Sequence, residues 1–469
     1  MREYLKFYID GQWVDPITAK TAEVINPATE AVSGTISLGS PADVDKAVAA
    51  ARRAFATFGD SSVKERIDLL EAIIAEYLRR ERELGEAVTE EMGAPLSLGT
   101  GFHTLLGKGH FQTALAVLRE FKFEEQRGPT LIRKEPIGVC GLITPWNWPM
   151  NQTCVKIAPA LAAGCTMILK PPQLAPYSAQ ILAEILHDAG TPAGVFNMIQ
   201  GQGSVIGNAL STHEDVDMIS FTGSEGVGVQ IQKDAADTVK RVGLELGGKS
   251  AWIVLDDGAL AANVSGATAG MMGNSGQTCS AGSRLLVPAA RLDEAIAAAT
   301  EAADGVSVGD PQGNFAMGPV VSKAQYNIIQ GYIQKGLDEG ATLIAGGLGR
   351  PEGLDKGWYV KPTVFVGTND MVISREEIFG PVLVVIPYND ADDAVRIAND
   401  SQFGLGGYVS GEDAEAARNI ARRVRTGAIW VNGGFDFNAP FGGYKRSGNG
   451  REWGEYGFHD YLEIKSIIG

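Results

Sequence analysis

Between Ile137 and Leu246 short, unbroken apolar runs end in polar loops, and most of the loops lead into a stretch with helical spacing. Ile137 to Ile143, Thr166 to Leu169, Val195 to Ile199, Met218 to Phe221 and Arg241 to Leu246 read as strands buried on both faces. Val155 to Ala163 and Ser178 to Ala189 read as helices between them. Strands that alternate with helices pair in parallel, through right-handed crossovers. A second series follows, with strands at Ala251 to Leu255, Arg284 to Val287, Val382 to Ile386 and Ala428 to Val431, and helices between. The fold class is therefore α/β, with two parallel-sheet units.

Upstream, Ser40-Pro41-Ala42-Asp43 reads as an N-cap, a proline at the first helical position and an acid in the first turn. Val44, Ala47, Val48, Ala51, Phe55 and Phe58 continue it at helical spacing, and a charged helix spans about Val63 to Glu91. Two segments fit neither α/β unit. The tail Tyr461 to Ile468 alternates apolar and polar positions, and so does Thr130 to Lys134, after the charged stretch Phe123 to Arg127. Both read as edge strands, and an exposed edge invites pairing with another chain, so they predict an oligomerisation arm.

Composition is that of a soluble globular protein of two or three domains: 469 residues, 45% hydrophobic and 20% charged. The net charge of −16 argues against nucleic acid and against an anionic membrane surface. No run approaches the ~18 apolar residues of a membrane span, and the N-terminus has no signal-peptide core. The four cysteines form no C-x-x-C pair and the five histidines are scattered, so neither a disulfide scaffold nor a metal site is expected. A cytoplasmic location is the expectation.

Ligands of parallel α/β sheets bind outside the carboxyl ends of the strands. Asn147, Lys170, Ser224 and Glu245 all fall at such ends, which points to one binding crevice. Phe221-Thr222-Gly223-Ser224-Glu225-Gly226-Val227 is a glycine-rich strand-to-helix junction, suited to a pyrophosphate at a helix N-terminus. Gly201-x-Gly203-x-x-x-Gly207 departs by one residue from the dinucleotide fingerprint and alone reads equally as a turn. Cys140, Cys154 and Cys165 lie in apolar runs and read as core. Cys279 differs, because Gly276-Gln277-Thr278 precedes it and Ser280-Ala281-Gly282 follows it. Its local sequence suits an exposed nucleophile and leaves a small buried residue open as well.

Together these segments resemble the aldehyde dehydrogenase superfamily, from Ile9-Asp10-Gly11-Gln12-Trp13 to Gly457. The segments that carry the resemblance are Pro145-Trp146-Asn147, Phe221 to Ser224, Leu244 to Lys249, Gly276 to Cys279, Glu377-Ile378-Phe379-Gly380-Pro381 and Pro440-Phe441-Gly442-Gly443. The resemblance implies a Rossmann-like cofactor domain (1–117 and 137–247), a catalytic α/β domain (248–446) and a small β oligomerisation arm (118–136 and 455–469). It implies oxidation of an aldehyde to a carboxylic acid by a homodimer or homotetramer. Cys279 would be the nucleophile, Glu245 the base that activates water, and Asn147 with the Cys279 N–H the oxyanion hole. Glu455 matches a carboxylate that serves some members as a proton relay. NAD or NADP would lie along Thr144, Pro145, Trp146, Lys170, Gln173, Gly203, Gly207, Phe221, Gly223, Ser224, Val227, Leu246, Gly247, Glu377 and Phe379.

The chain departs from the commonest pattern after Lys170-Pro171, where Pro172 and Gln173 stand in place of a small residue and a glutamate. Gln173 lacks the charge that would repel a 2′-phosphate, so both cofactors are expected to work. Tunnel positions that are apolar in many relatives read Asn151 and Gln152, with Phe435 and Phe437 on the opposite wall. Rival expectations are a CoA-acylating relative, a catalytically silent binding protein on the same fold, and a thiol hydrolase without cofactor. Glu245 argues against the first, and the intact set of Cys279, Glu245, Asn147 and Glu377 against the second. The complete nucleotide crevice argues against the third.

Overall fold

A computed structural model describes all 469 residues. The first α/β unit is a seven-stranded sheet, in the order Arg241–Glu245, Met218–Thr222, Val139–Ile143, Thr166–Lys170, Phe196–Met198, Phe7–Ile9 and Gln12–Val14. The strands from residue 139 onward pair in parallel, and the two N-terminal strands add an antiparallel edge. Val139–Ile143 is first in chain order among the parallel strands and sits between Thr166–Lys170 and Met218–Thr222. The chain thus winds outward in both directions from it, which opens a crevice at its carboxyl end. Pro149–Ala163, Tyr177–Asp188, Val63–Met92 and Thr104–Glu120 bury one face of this sheet, and Pro41–Phe58 packs against the other.

The second sheet also has seven strands: Thr342–Ala345, Thr363–Val366, Val382–Tyr388, Arg284–Pro288, Ala251–Val254, Gly406–Ser410 and Ala428–Val431. Only Thr342–Ala345 runs antiparallel to its neighbour. The two Rossmann-like sheets are joined where Arg241–Glu245 leads through Gly247-Gly248 into Ala251–Val254.

The two alternating segments pair with each other. Leu462–Ile468, Thr130–Pro136 and Glu124–Arg127 form an antiparallel three-stranded sheet. Thr130–Pro136 is its central strand, so the edge position expected for it belongs to Glu124–Arg127, whose run of charge had hidden a strand. Leu462–Ile468 is the other edge, with Ile464, Ile467 and Ile468 exposed. No helix is long and apolar enough to cross a membrane.

Arg284 ties the second sheet together from inside. It is 2% exposed. Its guanidinium donates to the carbonyls of Lys249 (3.0 Å), Ile397 (2.9 Å) and Ala398 (2.9 Å) and to Asn369 Oδ1 (2.8 Å). Two of those carbonyls belong to the last turn of helix Ala391–Asn399, where a cation also meets the negative end of the helix dipole. Arg284→Leu removes every donor and leaves buried carbonyls unpaired. The expected loss is about 3 kcal/mol, read as a fall in the urea midpoint. A midpoint within error of the parent would mean that these carbonyls find other donors.

Candidate active site

Cys279 follows a loop that spends backbone energy on its shape. After helix Leu260–Met272, Asn274 (φ 53°), Ser275 (φ 56°) and Gly276 (φ 69°) are all left-handed. Each non-glycine residue there costs roughly 1 kcal/mol or more. Side chains hold the loop against that cost. Asn274 Nδ2 donates to the Asn147 carbonyl (2.8 Å) and Ser275 Oγ to that of Gly318 (2.9 Å). Gln277 Nε2 donates to the Asn274 carbonyl (3.1 Å), and its Oε1 accepts from the Val321 N–H (2.9 Å). Glycines let the loop close on its neighbours. A Cβ on Gly276 would lie 2.2 Å from the Gly380 carbonyl, and one on Gly248 2.3 Å from the Cys279 carbonyl oxygen.

The partly buried Cys279 opens onto a cavity of ≈ 270 Å³. Of the residues singled out from the sequence, Pro145, Trp146, Asn147, Gln152, Gly223, Ser224, Leu246, Gly247, Glu377 and Phe379 line it, together with Thr222 and Gln325. A larger groove of ≈ 600 Å³ beyond Thr278 is lined by no carboxylate, lysine, arginine, histidine or thiol. Asn147 is 2% exposed, and its Nδ2 donates to the Gln277 carbonyl (3.1 Å). That bond holds the amide against the thiol-bearing loop and leaves one N–H to give. Trp148 Nε1 donates to Thr278 Oγ1 (2.9 Å), a second tie to the same loop.

Glu377 accepts from the Gly248 N–H (3.0 Å), and burial pushes its carboxyl up to about 7. A Cβ on Gly247 would sit 2.3 Å from Glu377 Oε2, so the two occupy one space. Phe379 has φ 57° and places its ring edge-on to Trp146, with centroids 5.3 Å apart. Gln325 pins that strained residue, because its Nε2 donates to the carbonyls of Ile378 (3.2 Å) and Phe379 (2.9 Å). The sequence marks Gln325 only as the third residue of a helix, where its N–H meets Ser322 Oγ (3.2 Å), and gives no sign of its inward reach.

Glu245 ends its strand and is 3% exposed, with neither carboxylate oxygen hydrogen-bonded to protein. It faces a tight pocket shared with Glu452, Arg451 and Asp460, not the cavity itself. Burial raises its carboxyl well above the usual range, the Glu452 charge adds to that, and Lys156 and Arg451 oppose it. Burial first, then the charges of Glu377 and Glu245, also push the Cys279 thiol up.

Lys170 ends its strand 6% exposed, and burial lowers its ammonium to about 8. Its Nζ stands 4.0 Å from where a Cβ on Gly203 would be, which joins the strand end to the Gly203–Gly207 turn. Thr144, Lys170, Gln173, Gly203, Gly207, Phe221 and Val227 lie outside the thiol cavity, at or near the carboxyl ends of the first sheet. Val227 is in the first turn of helix Glu225–Asp234.

Three substrate positions fall elsewhere. Asn151 Oδ1 is bonded to His110 Nε2 (2.7 Å), and Asn151 does not line the cavity. Phe435 and Phe437 meet edge-to-face at 4.8 Å and form an aromatic wall with Phe102, Trp148 and Trp453. Glu455 is not brought to the site: its side chain is 63% exposed and its only partner is His459 (3.4 Å). The carboxylate beside Glu245 is Glu452, three residues earlier, which accepts from Lys156 Nζ (2.6 Å). Lys156 is fully buried and also donates to Ser220 Oγ (2.9 Å).

Known proteins match this architecture along its length. The aldehyde dehydrogenase family model matches residues 13–467. A 3-succinoylsemialdehyde-pyridine dehydrogenase from a Pseudomonas species is 53% identical over 100% of this chain and 99% of its own. A mutant aldehyde dehydrogenase C from Pseudomonas syringae, solved with NAD+ and octanal, superposes with a TM-score of 0.98 at 47% identity, over 99% of this chain and 96% of that one. A Mycobacterium tuberculosis aldehyde dehydrogenase solved with NAD+ gives 0.96 at 40% identity, over 100% and 98%.

The charges around Glu245 predict opposite effects of two substitutions. Glu452→Gln removes a like charge and lowers the Glu245 carboxyl, whereas Lys156→Met removes an opposing charge and raises it further. Difference infrared titration of the carboxyl band measures both. Shifts in the same direction would mean that repacking, not charge, sets this group.

Proposed function

The chain belongs to the aldehyde dehydrogenase family, and we propose that it oxidises an aldehyde to a carboxylic acid with NAD or NADP through a covalent adduct on Cys279. The observation that carries this is the meeting of a thiol, a fixed amide and a ribose-type carboxylate, Glu377, in one cavity at the first sheet's crevice.

The residues present suit a dinucleotide. Lys170 is a buried cation near Gly203, and burial alone shifts it, so its ammonium is free to meet a ribose hydroxyl or phosphate. Ser224 stands at the N-terminus of helix Glu225–Asp234, where free N–H groups suit a pyrophosphate. Glu377, with one oxygen bonded to Gly248, has the other for the nicotinamide ribose. Thr144 to Trp146, Gln173, Gly203, Gly207, Phe221, Gly223, Val227, Leu246, Gly247 and Phe379 complete the cradle. NAD+ in the related P. syringae and M. tuberculosis structures supports this assignment.

Burial pushes the Cys279 thiol up, and the backbone N–H groups of Ser280 and Cys279 oppose that. Attack by the sulfur makes the aldehyde carbon tetrahedral and puts charge on oxygen. The free N–H of Asn147 Nδ2 and the Cys279 backbone N–H stabilise that charge. The nicotinamide, when bound, supplies the acceptor for the hydride. The Cys279 thioester that remains needs water, and Glu245 takes its proton after turning from its pocket toward the sulfur. Glu452, held by Lys156, is the next acceptor outward, the relay role expected at Glu455.

The domain limits proposed are 1–117 with 137–247 for the cofactor, 248–446 for catalysis, and 118–136 with 455–469 for assembly. The exposed edge Leu462–Ile468 suits pairing with a second copy, in a homodimer or homotetramer. The net charge of −16 goes with neither nucleic acid nor an anionic membrane surface as partner, and a cytoplasmic location is part of the same proposal.

Cys279→Ala should abolish aldehyde-dependent cofactor reduction while cofactor still binds, as followed by absorbance and fluorescence. More than trace turnover would sink the assignment. Glu245→Gln should slow thioester hydrolysis by ~10²–10³ and expose a pre-steady-state burst of reduced cofactor. Loss of burst and turnover together would put Glu245 before hydride transfer.

Gln173 sits partly exposed in the turn after Lys170, so it can face the ribose 2′ position. Both cofactors should work. Gln173→Glu should lower the ratio of kcat/KM for NADP to that for NAD by ~10-fold, through repulsion of the 2′-phosphate. An unchanged ratio would place residue 173 away from the ribose.

A further inference from the structure

Both neighbours of Cys279 are held by aromatic side chains. Thr278 Oγ1 accepts from Trp148 Nε1 (2.9 Å), and the Ser280 carbonyl accepts from the Tyr408 hydroxyl (3.0 Å). Between these two ties the Ala281 N–H closes a turn on the Thr278 carbonyl (3.1 Å), with Cys279 and Ser280 at its centre. The N–H groups of Ser280 and Cys279 lie against the sulfur and favour its ionised form. Burial opposes that form, as do the charges of Glu377 and Glu245. The nucleophilicity of this thiol therefore depends on how firmly the turn keeps its N–H groups in place.

Tyr408 is fixed independently of that turn. It lies in strand Gly406–Ser410, in register with Trp252 on one neighbouring strand and Trp430 on the other. The three rings stack, with centroids 4.5 Å apart to Trp252 and 4.9 Å to Trp430, and planes within 16° and 17°. Trp252 Nε1 donates to Ser410 Oγ (2.9 Å), which sets one end of the stack. Burial pushes the Tyr408 phenol up to about 12, so it keeps its proton and remains a donor. The loop after Cys279 is laid onto these rings. A Cβ on Gly282 would stand 2.9 Å from the Trp252 ring and 3.2 Å from that of Tyr408, and one on Gly406 3.3 Å from Ser280 Cβ. Phenylalanine would stack as well, so packing explains the ring and not the hydroxyl.

We propose that Tyr408 is a positioning residue for the nucleophile: its hydroxyl holds the Ser280 carbonyl and thereby keeps the N–H groups of the Cys279–Ser280 turn on the sulfur. A carbonyl freed at Ser280 lets the peptide groups on either side of that residue rotate, and the N–H that meets the sulfur turns away with them. Tyr408 does not line the cavity assigned to the dinucleotide, so it acts through the turn and not on the cofactor. Its consequence for turnover rests on the aldehyde oxidation proposed for Cys279, whereas its effect on the thiol does not.

The test is alkylation of the full-length protein by iodoacetamide, without cofactor, from about pH 7 to 10. The thiolate displaces iodide and forms a carbon–sulfur bond, so the rate follows the thiolate fraction. Cys140, Cys154 and Cys165 are fully buried, and Cys279→Ala gives the background. Tyr408→Phe keeps the stack and loses the hydroxyl. It should slow alkylation of Cys279 by ~3–10-fold across that range and move the profile to higher pH, the effect of about one hydrogen bond. Glu377 and Glu245, the charged groups that face the sulfur, are the same in parent and variant. With NAD and octanal the burst rate should fall by a similar factor, with the KM for NAD unmoved. Ser410→Ala frees Trp252 but leaves the hydroxyl, and should alkylate like the parent. A rate unmoved by Tyr408→Phe would overturn the proposal, and so would a Ser410→Ala protein slowed as much, because packing would then be responsible. A Tyr408→Phe chain that fails to fold, or a parent Cys279 that resists iodoacetamide at every pH, would overturn it too. If the alkylation rates respond as expected and no aldehyde is oxidised, the aldehyde reading falls and the role of Tyr408 stands.

Discussion

Three stretches of backbone meet beside one sulfur, that of Cys279, and the geometry of the cavity depends on that meeting. One loop leaves the first sheet at Gly247-Gly248, one carries Gly276 to Cys279, and one enters the second sheet at Gly380-Pro381. The approaches are too close for side chains: Gly276 to the Gly380 carbonyl, Gly248 to the Cys279 carbonyl, Gly247 to the Glu377 carboxylate. Since interiors are close-packed and yield little, a methyl at any of these contacts would push the three stretches apart. The left-handed Asn274 and Ser275 are part of the same constraint. Their strain is tolerable because their side chains are bonded to Asn147 and Gly318, on the elements the loop must reach.

That packing decides the electrostatics. The thiol, Glu245 and Glu377 are all pushed up chiefly by burial. Negative charge is costly there, so the oxyanion proposed at the thiol would depend on fixed dipoles instead of solvent. Asn147 suits this task because its position is already fixed by bonds at both its carbonyl and its amide. No reorganisation remains to be done when charge appears.

Much of this was legible in the chain. Parallel strands and their carboxyl-end polar residues follow from apolar runs and from turn chemistry, both local properties. Asn147 and Cys279 stand in segments whose composition is unusual for a core, whereas Glu377 is marked only by the family resemblance. Where side chains several turns away decide the outcome, local pattern fails. Glu452 and Glu455 lie in one short stretch, Arg451-Glu452-Trp453-Gly454-Glu455, and nothing local separates them. What separates them is Lys156 on a distant helix, which draws Glu452 inward and leaves Glu455 to solvent. Gln325 and His110 are similar cases. The central position of Thr130–Pro136 was masked because its partner Glu124–Arg127 is polar and exposed throughout.

A chain of net charge −16 also buries cations around its active site. Lys156, Lys170, Lys249 and Arg284 are all at most 6% exposed. Burying an unpaired charge is expensive, so each must be accounted for. Lys156 has Glu452, and Arg284 has the carbonyls that end a helix. Lys249 has no hydrogen-bond partner, but burial takes it down to about 7 and the nearby Glu377 charge favours its ionised form. Lys170 alone is shifted by burial with no charged neighbour to offset it, and it stands where the first sheet's crevice opens. An acidic protein that keeps one uncompensated cation at that point has built an attraction for an electron-rich ligand into a surface that otherwise repels anions.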